Sequence, residues 1–252
     1  MADAATDLHR ARLTTAAYRL TGCGGDFAVF DETDETLSEA SEEIDLVYRD
    51  GLTAPAPPPY PQVQLALVEG AVVSREDERH LRAIRESART VVALGTCAVW
   101  GGLPASKDTW GGKVRRAVPL RQVVPVDYSL PGCPVTMPQF AGLLTSVLRG
   151  RPLALPLYPV CFECRLAENP CLWKTAPSAC LGPVTAAGCT ANCPSLGVPC
   201  YGCHGPAPEA NFESYLSLLR RKGYTAEEAV TVLRTFGSNL PVRLTESGEE
   251  GE

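Results

Sequence analysis

No stretch of this chain is apolar for the roughly 20 residues that a membrane-spanning helix needs. Positive charge is also short: 23 Lys and Arg stand against 29 Asp and Glu, a formal net charge of −6. That balance argues against a nucleic-acid partner or an anionic membrane surface. Met1 to Leu20 holds no long apolar segment, and His9-Arg10-Ala11-Arg12 lacks a twin-arginine pair, so no export signal is read there. The expected location is cytoplasmic, where thiols stay reduced. Histidine is scarce, three in 252 residues. His9 and His80 carry no signal, and His204 has no partner set in sequence, which reads as surface packing. The remaining composition, 45% hydrophobic and 21% charged, is that of a globular chain with a full core and room for a second small module.

Cysteine is what the chain has in excess. Eight of the eleven fall between Cys161 and Cys203: Cys161-Phe-Glu-Cys164, Cys171, Cys180, Cys189, Cys193 and Cys200-Tyr-Gly-Cys203. Eight thiols suffice for two sites of four ligands, and four-cysteine sites hold zinc or iron–sulfur clusters. A disulfide framework needs an oxidising compartment, and an odd cysteine count fits ligands better.

Upstream, strand-like and helix-like runs alternate. Arg12 to Leu20 predicts a strand running into Thr21-Gly22-Cys23-Gly24-Gly25-Asp26, where glycines mark a tight turn. Phe27 to Ala40 predicts an acidic helix, Glu43 to Tyr48 a second strand, and Ala54 to Pro61 a stiff proline-rich link. Val63 to Val68 predicts a strand buried on both faces, ending in Glu69-Gly70. Ser74 opens a helix to Ala88 with acids in its first turn. Thr90 to Leu94 predicts another buried strand, ending in Gly95-Thr96-Cys97 and an irregular segment with Gly101, Gly102, Trp110, Gly111 and Gly112. Val123 to Leu130 reads as extended and ends in Pro131-Gly132-Cys133-Pro134, before a helix over 137–149. Helices are expected again over Phe212 to Arg221 and after Thr225, whose capping box is Thr225-Ala-Glu-Glu228. Residues 1–11 and the acidic tail from Glu246 read as frayed or disordered.

This alternation implies an α/β domain with a mostly parallel sheet, whose functional residues lie beyond the carboxyl ends of its strands. Cys23, Cys97 and Cys133 each follow such a run and should converge on one edge as a third metal site. No cysteine is left for a fourth ligand. Asp26 stands three residues after Cys23; it is either a carboxylate ligand or the cap of the helix starting at Phe27. Glu69, at a strand end beside the same edge, is either part of a proton path or a hydrogen-bonded turn acid.

With Thr21-Gly22-Cys23, Val68-Glu69-Gly70-Ala71, Gly95-Thr96-Cys97-Ala98 and Pro131-Gly132-Cys133-Pro134 in this order, the chain resembles the small subunit of NiFe hydrogenases. Pro159-Val-Cys-Phe-Glu-Cys164, Cys180-Leu-Gly-Pro183 and Cys200-Tyr-Gly-Cys-His-Gly205 look most like the cytoplasmic branch, the F420-non-reducing hydrogenases and sulfhydrogenase delta subunits. The resemblance implies a flavodoxin-like N-terminal domain over 12–152, a small irregular iron–sulfur domain over 153–210, and a helical extension with an acidic tail over 211–252. It implies three clusters and no flavin. A proximal cluster would use Cys23, Asp26, Cys97 and Cys133, as a 4Fe–4S cluster with three cysteines and one aspartate; a 3Fe–4S cluster and a labile site are the alternatives that Asp26 leaves open. A distal one would use Cys161, Cys164, Cys171 and Cys180, and a medial one Cys189, Cys193, Cys200 and Cys203.

Most relatives carry cysteine where Asp26 stands, and related oxygen-insensitive hydrogenases use aspartate there. The family places H2 cleavage at a NiFe centre in a separate large subunit, so no catalytic residue is expected in this chain. A diaphorase or another electron-acceptor subunit is a further expected partner. Two other readings stand beside this one: an iron–sulfur scaffold of a non-hydrogenase complex, and a structural zinc protein.

Overall fold

The computed structural model describes residues 12–30, 43–51, 59–105 and 117–236. Residues 1–11, most of the expected 27–40 helix, most of the proline-rich link, Trp110 with Gly111 and Gly112, and the acidic tail lie outside the described residues.

Five strands form one parallel sheet: β1 (Leu13–Arg19), β2 (Ile44–Arg49), β3 (Val63–Glu69), β4 (Ala88–Leu94) and β5 (Tyr128–Leu130), in the order β2-β1-β3-β4-β5. This is the flavodoxin-like order of a doubly wound α/β fold, with its switch point between β1 and β3. Period-two alternation divides the strand residues between two cores. Ala16, Tyr18, Ala66, Val68, Val91 and Ala93 face one side, where helix α1 (Arg75–Ser87) contributes Leu81 and Ile84. Ala17, Leu65, Leu67, Val92 and Leu94 face the other, where Phe140, Leu143 and Leu144 of α3 (Met137–Leu148) pack with Phe27. Each fully buried leucine here is worth about 1.5–3 kcal/mol over an exposed one. Between them lies the short helix α2 (Gly95–Trp100), which starts directly at the end of β4.

Local chemistry explains most boundaries. Ser74 caps α1: its Oγ accepts from Asp77 N at 3.0 Å, and Asp77 Oδ2 accepts from Ser74 N at 3.0 Å. The extended run expected over Val123 to Leu130 is shortened to a three-residue β5, preceded by a 3-10 turn at Leu120–Gln122. Pro125 has no N–H for a ladder. Asp127 ends the irregular part: its N–H donates to Val91 O and its Oδ2 accepts from Val91 N at 2.8 Å. Between Phe27 and Phe30 the expected helix is a 3-10 turn, Gly25–Phe30.

After α3 the chain changes character. Three short helices, α4 (Val160–Leu166), α5 (Leu172–Thr175) and α6 (Asn192–Ser195), alternate with turns. They lie against α7 (Phe212–Arg221) and α8 (Ala226–Arg234), both at the expected places. This third core holds Val160, Leu181, Val184, Tyr215, Leu219, Val230 and Leu233, with Cys180 and Cys200 buried among them. Among the described residues no helix is long and apolar enough to cross a membrane.

Candidate metal centre

Parallel strands send their carboxyl ends to one edge, and the loops that follow β1, β3, β4 and β5 meet there. Cys23, Asp26, Glu69, Cys97 and Cys133 line a single small cavity of about 70 Å³, walled by Gly22, Gly70, Thr96, Gly132 and Pro134 among others. The loops touch backbone to backbone. Leu20 N donates to Glu69 O at 2.9 Å and Ala71 N to Thr21 O at 2.8 Å. Gly70 has φ +86°, and a Cβ there would lie 2.8 Å from the Leu20 carbonyl carbon.

Asp26 does not cap the turn that it opens. Its Oδ1 accepts from Val135 N at 2.9 Å, which ties the loop after β1 to the loop after β5. Its carboxylate fills the space over Gly95, where a Cβ would overlap it. Burial pushes the Asp26 carboxyl up to about 6, against the Val135 hydrogen bond. Glu69 is 1% exposed, and neither carboxylate oxygen makes a hydrogen bond of ordinary geometry. Burial, and then the nearby Asp26, raise it to about 7; Arg19 and the backbone N–H groups of Asp26 and Phe27, which approach the carboxylate, oppose the rise. Two buried carboxylates beside three thiols make a donor set whose charged form a metal cation would stabilise.

The thiols show the same strain. Burial, and then the neighbouring Cys133, Asp26 and Cys23, push Cys97 up to about 12. Cys133 rises to about 11 through burial and then Asp26, Cys23 and Cys193. A positive metal group would reverse both shifts, because a coordinated thiol is deprotonated. Hydrogen bonding to sulfur is present at the same edge: Gly25 N donates to Cys23 Sγ at 3.3 Å. At Cys97 the N–H that approaches is that of Leu103, not of a glycine.

In the C-terminal region the eight cysteines feel one another, and Cys180 acts on Cys161, Cys193 and Cys200 alike. Cys161 is raised to about 11 by burial and then by Cys180, Cys164 and Cys171. A Cβ on Gly182 would meet Cys161 Sγ at 3.2 Å and Cys180 Sγ at 3.7 Å, so these two thiols share one approach. Cys203 is raised well above the ordinary thiol value by burial and then by Cys200, Cys189, Cys133 and Cys193. The groups touch at their borders: Cys200 N donates to Cys180 Sγ at 3.3 Å. Among the described residues no three His, Cys, Asp or Glu side chains close on a single point as they would around one ion.

Two connections were missed by sequence reasoning. Thr96, 1% exposed, places its hydroxyl 2.7 Å from Gly132 O and 2.6 Å from Cys203 O, joining the sheet edge to the C-terminal region. Glu163, inside Cys161-Phe-Glu-Cys164, accepts from Gly188 N at 2.8 Å and from Ala191 N at 3.1 Å. It holds a loop in which Thr190 and Ala191 have φ of 54° and 53°, conformations that cost about 1–3 kcal/mol each. A polar residue inside a ligand motif was the only signal for either. His204 is a correction: it is 3% exposed rather than on the surface, with Nδ1 3.0 Å from Ala187 O and its pKa lowered by burial. The turn at Gly202 and Gly205 folds the imidazole inward against Gly188.

Residues 23–147 match the NADH ubiquinone oxidoreductase 20 kDa subunit family. Over 188 residues the chain is 35% identical to sulfhydrogenase 2 subunit delta of Pyrococcus furiosus, spanning 69% of this chain and 79% of that protein. The chain belongs to this family of hydrogenase small subunits and 20 kDa oxidoreductase subunits. It is also 31% identical over 231 residues to a subunit of the vhu F420-non-reducing hydrogenase of Methanocaldococcus jannaschii, covering 74% of this chain and 80% of the relative. The small-subunit fold recurs in the reduced, active Ni-Fe-Se hydrogenase of Desulfomicrobium baculatum, with a TM-score of 0.56 at 20% identity over 79% of this chain and 96% of that one.

Proposed function

We propose that this chain is the electron-transfer subunit of a heteromeric NiFe hydrogenase, an oxidoreductase acting on H2, and that it carries three iron–sulfur clusters. The observation that carries the reading is the meeting of Cys23, Asp26, Cys97 and Cys133 at one sheet edge, linked through Thr96 to a region with eight more thiols. The relatives' names supply the reaction class. When bound, the clusters would accept and release single electrons.

The chain's own residues would do the rest. Cys23, Cys97 and Cys133 supply three thiolates to the proximal site. Asp26 supplies a carboxylate whose one oxygen is already fixed by Val135 N–H, which leaves the other as donor. Cys161, Cys164, Cys171 and Cys180 hold the distal site, and Cys189, Cys193, Cys200 and Cys203 the medial one. Cys23 and Cys133 are exposed, so this edge is open to a large-subunit partner. Glu69, buried behind it, is a group able to exchange a proton near neutral pH. The division is that of a flavodoxin-like unit over 12–152, a two-cluster unit over 153–210 and a helical extension beyond.

Anaerobic iron and acid-labile sulfide content of the complex tests this. About twelve iron atoms per chain, three clusters of four, is the expected result. Zinc in place of iron would end it. The partner that co-purifies separates a hydrogenase from another iron–sulfur complex of the same family.

A further inference from the structure

Glu163 lies where two of the proposed cluster sites share a wall. It stands between Cys161 and Cys164 on α4, so its backbone belongs to the distal site. Its carboxylate leaves that site and takes the N–H groups of Gly188 and Ala191, which bracket Cys189 of the medial site. The loop it grips is the one with φ of 54° at Thr190 and 53° at Ala191, a conformation that side-chain-bearing residues keep only when something holds it. One residue thus fixes the spacing of two ligand groups and brings a carboxylate to the second.

We propose that Glu163 is a positioning residue that sets the reduction potential of the medial cluster, holding the Cys189 loop in register and disfavouring the added electron by its negative charge. The inference rests on the three-cluster reading. Its physics is simple: potential follows net charge, hydrogen bonding and exposure around a cluster, and a nearby anion favours the oxidised form. The Ala191 N–H that it binds also approaches the Cys189 sulfur, and the Glu163 charge is felt there.

The test is an EPR-monitored redox titration of the anaerobic complex, wild type against Glu163→Gln and Glu163→Asp. Glu163→Gln is expected to keep the full iron content and to move one C-terminal cluster's midpoint upward, with the proximal site unchanged. Glu163→Asp keeps the charge but retreats by one methylene; the expected result is a smaller upward shift of the same cluster. Identical midpoints in wild type and Glu163→Gln, or equal shifts of all clusters, overturn the proposal. Should Glu163→Gln fail to assemble, the Asp variant decides alone, and an unmoved midpoint there overturns it. A wild-type complex without iron would instead overturn the functional reading beneath it.

Discussion

The sheet edge and the C-terminal region present thiols in two different ways. At the sheet edge, donors from the three segments that follow β1, β4 and β5 are brought together by strands that two hydrophobic cores hold in place, with no cysteine among the strand residues themselves. In the C-terminal region the longest helix before Asn211 is the seven-residue α4, and cysteines are part of the core. The first region is a scaffold that offers a site. The second has little scaffold apart from its sites.

Removing metal should break that comparison open. On the proposed reading, removing the clusters takes away what would join the eight thiols of 161–203, and Val160, Leu181 and Val184 with α7 and α8 remain as a small core. Structural metal sites of this kind contribute folding energy directly. Anaerobic oxidative destruction of the clusters should abolish amide protection over 153–236 and leave protection in β1, β3 and β4 near its native level. Hydrogen exchange with mass spectrometry reads both at once. Equal loss in both regions would mean that the sheet depends on its site as well.

A smaller effect isolates the sheet edge. Gly95→Ala places a Cβ in the Asp26 carboxylate at a residue with φ +82°. The backbone strain alone costs about 1–3 kcal/mol, and displacing Asp26 releases Val135 N–H. The expected outcome is a destabilisation of roughly 3 kcal/mol or more, of the size that overpacking and strain together produce. About four iron atoms of twelve, one cluster of the three, would be lost while the C-terminal clusters remain visible by EPR. Retention of all iron would argue that Asp26 is not needed at the site.

The two regions also differed in how far they could be read from sequence. Strand identity and the meeting of Cys23, Cys97 and Cys133 followed from apolar runs that each end in a glycine and a cysteine, because parallel topology carries strand ends to one edge. β5 fell short because Pro125 removes a ladder donor and Asp127 substitutes a side-chain bond, details that an apolar run does not encode. The C-terminal cysteines stood out by density alone, but Glu163, Thr96 and His204 act through backbone groups of residues up to 107 positions away. Such bonds depend on turns with positive φ, and nothing in a linear pattern specifies which carbonyl or amide will face a given side chain. Asp26 is intermediate. Its place beside Cys23 marked it, but only Val135 N–H shows why it points into the cavity rather than capping its own turn.

The smallest expected effect concerns the buried charge at the sheet edge when no metal balances it. Glu69 has its pKa raised from 4.5 to about 7, by burial first and then by Asp26. The native state therefore holds this proton over a range where the unfolded chain has released it, and stability falls as pH rises from about 4.5 to 7. Below that window both states are protonated and nothing is lost. Glu69→Gln keeps the shape and removes the titration. In cluster-free protein, the variant should match wild type near the acid end and exceed it by up to about 3 kcal/mol above pH 7.5, from the 1.36 kcal/mol that each pKa unit represents. Denaturant melts of the sheet at several pH values measure this, and a wild-type profile that falls no more than the variant's, in which Asp26 still titrates, would mean that the Asp26 and Phe27 N–H groups solvate the carboxylate fully. In the loaded complex the same substitution should leave iron content unchanged, because the charge that Glu69 feels is then offset by the metal that its neighbours hold.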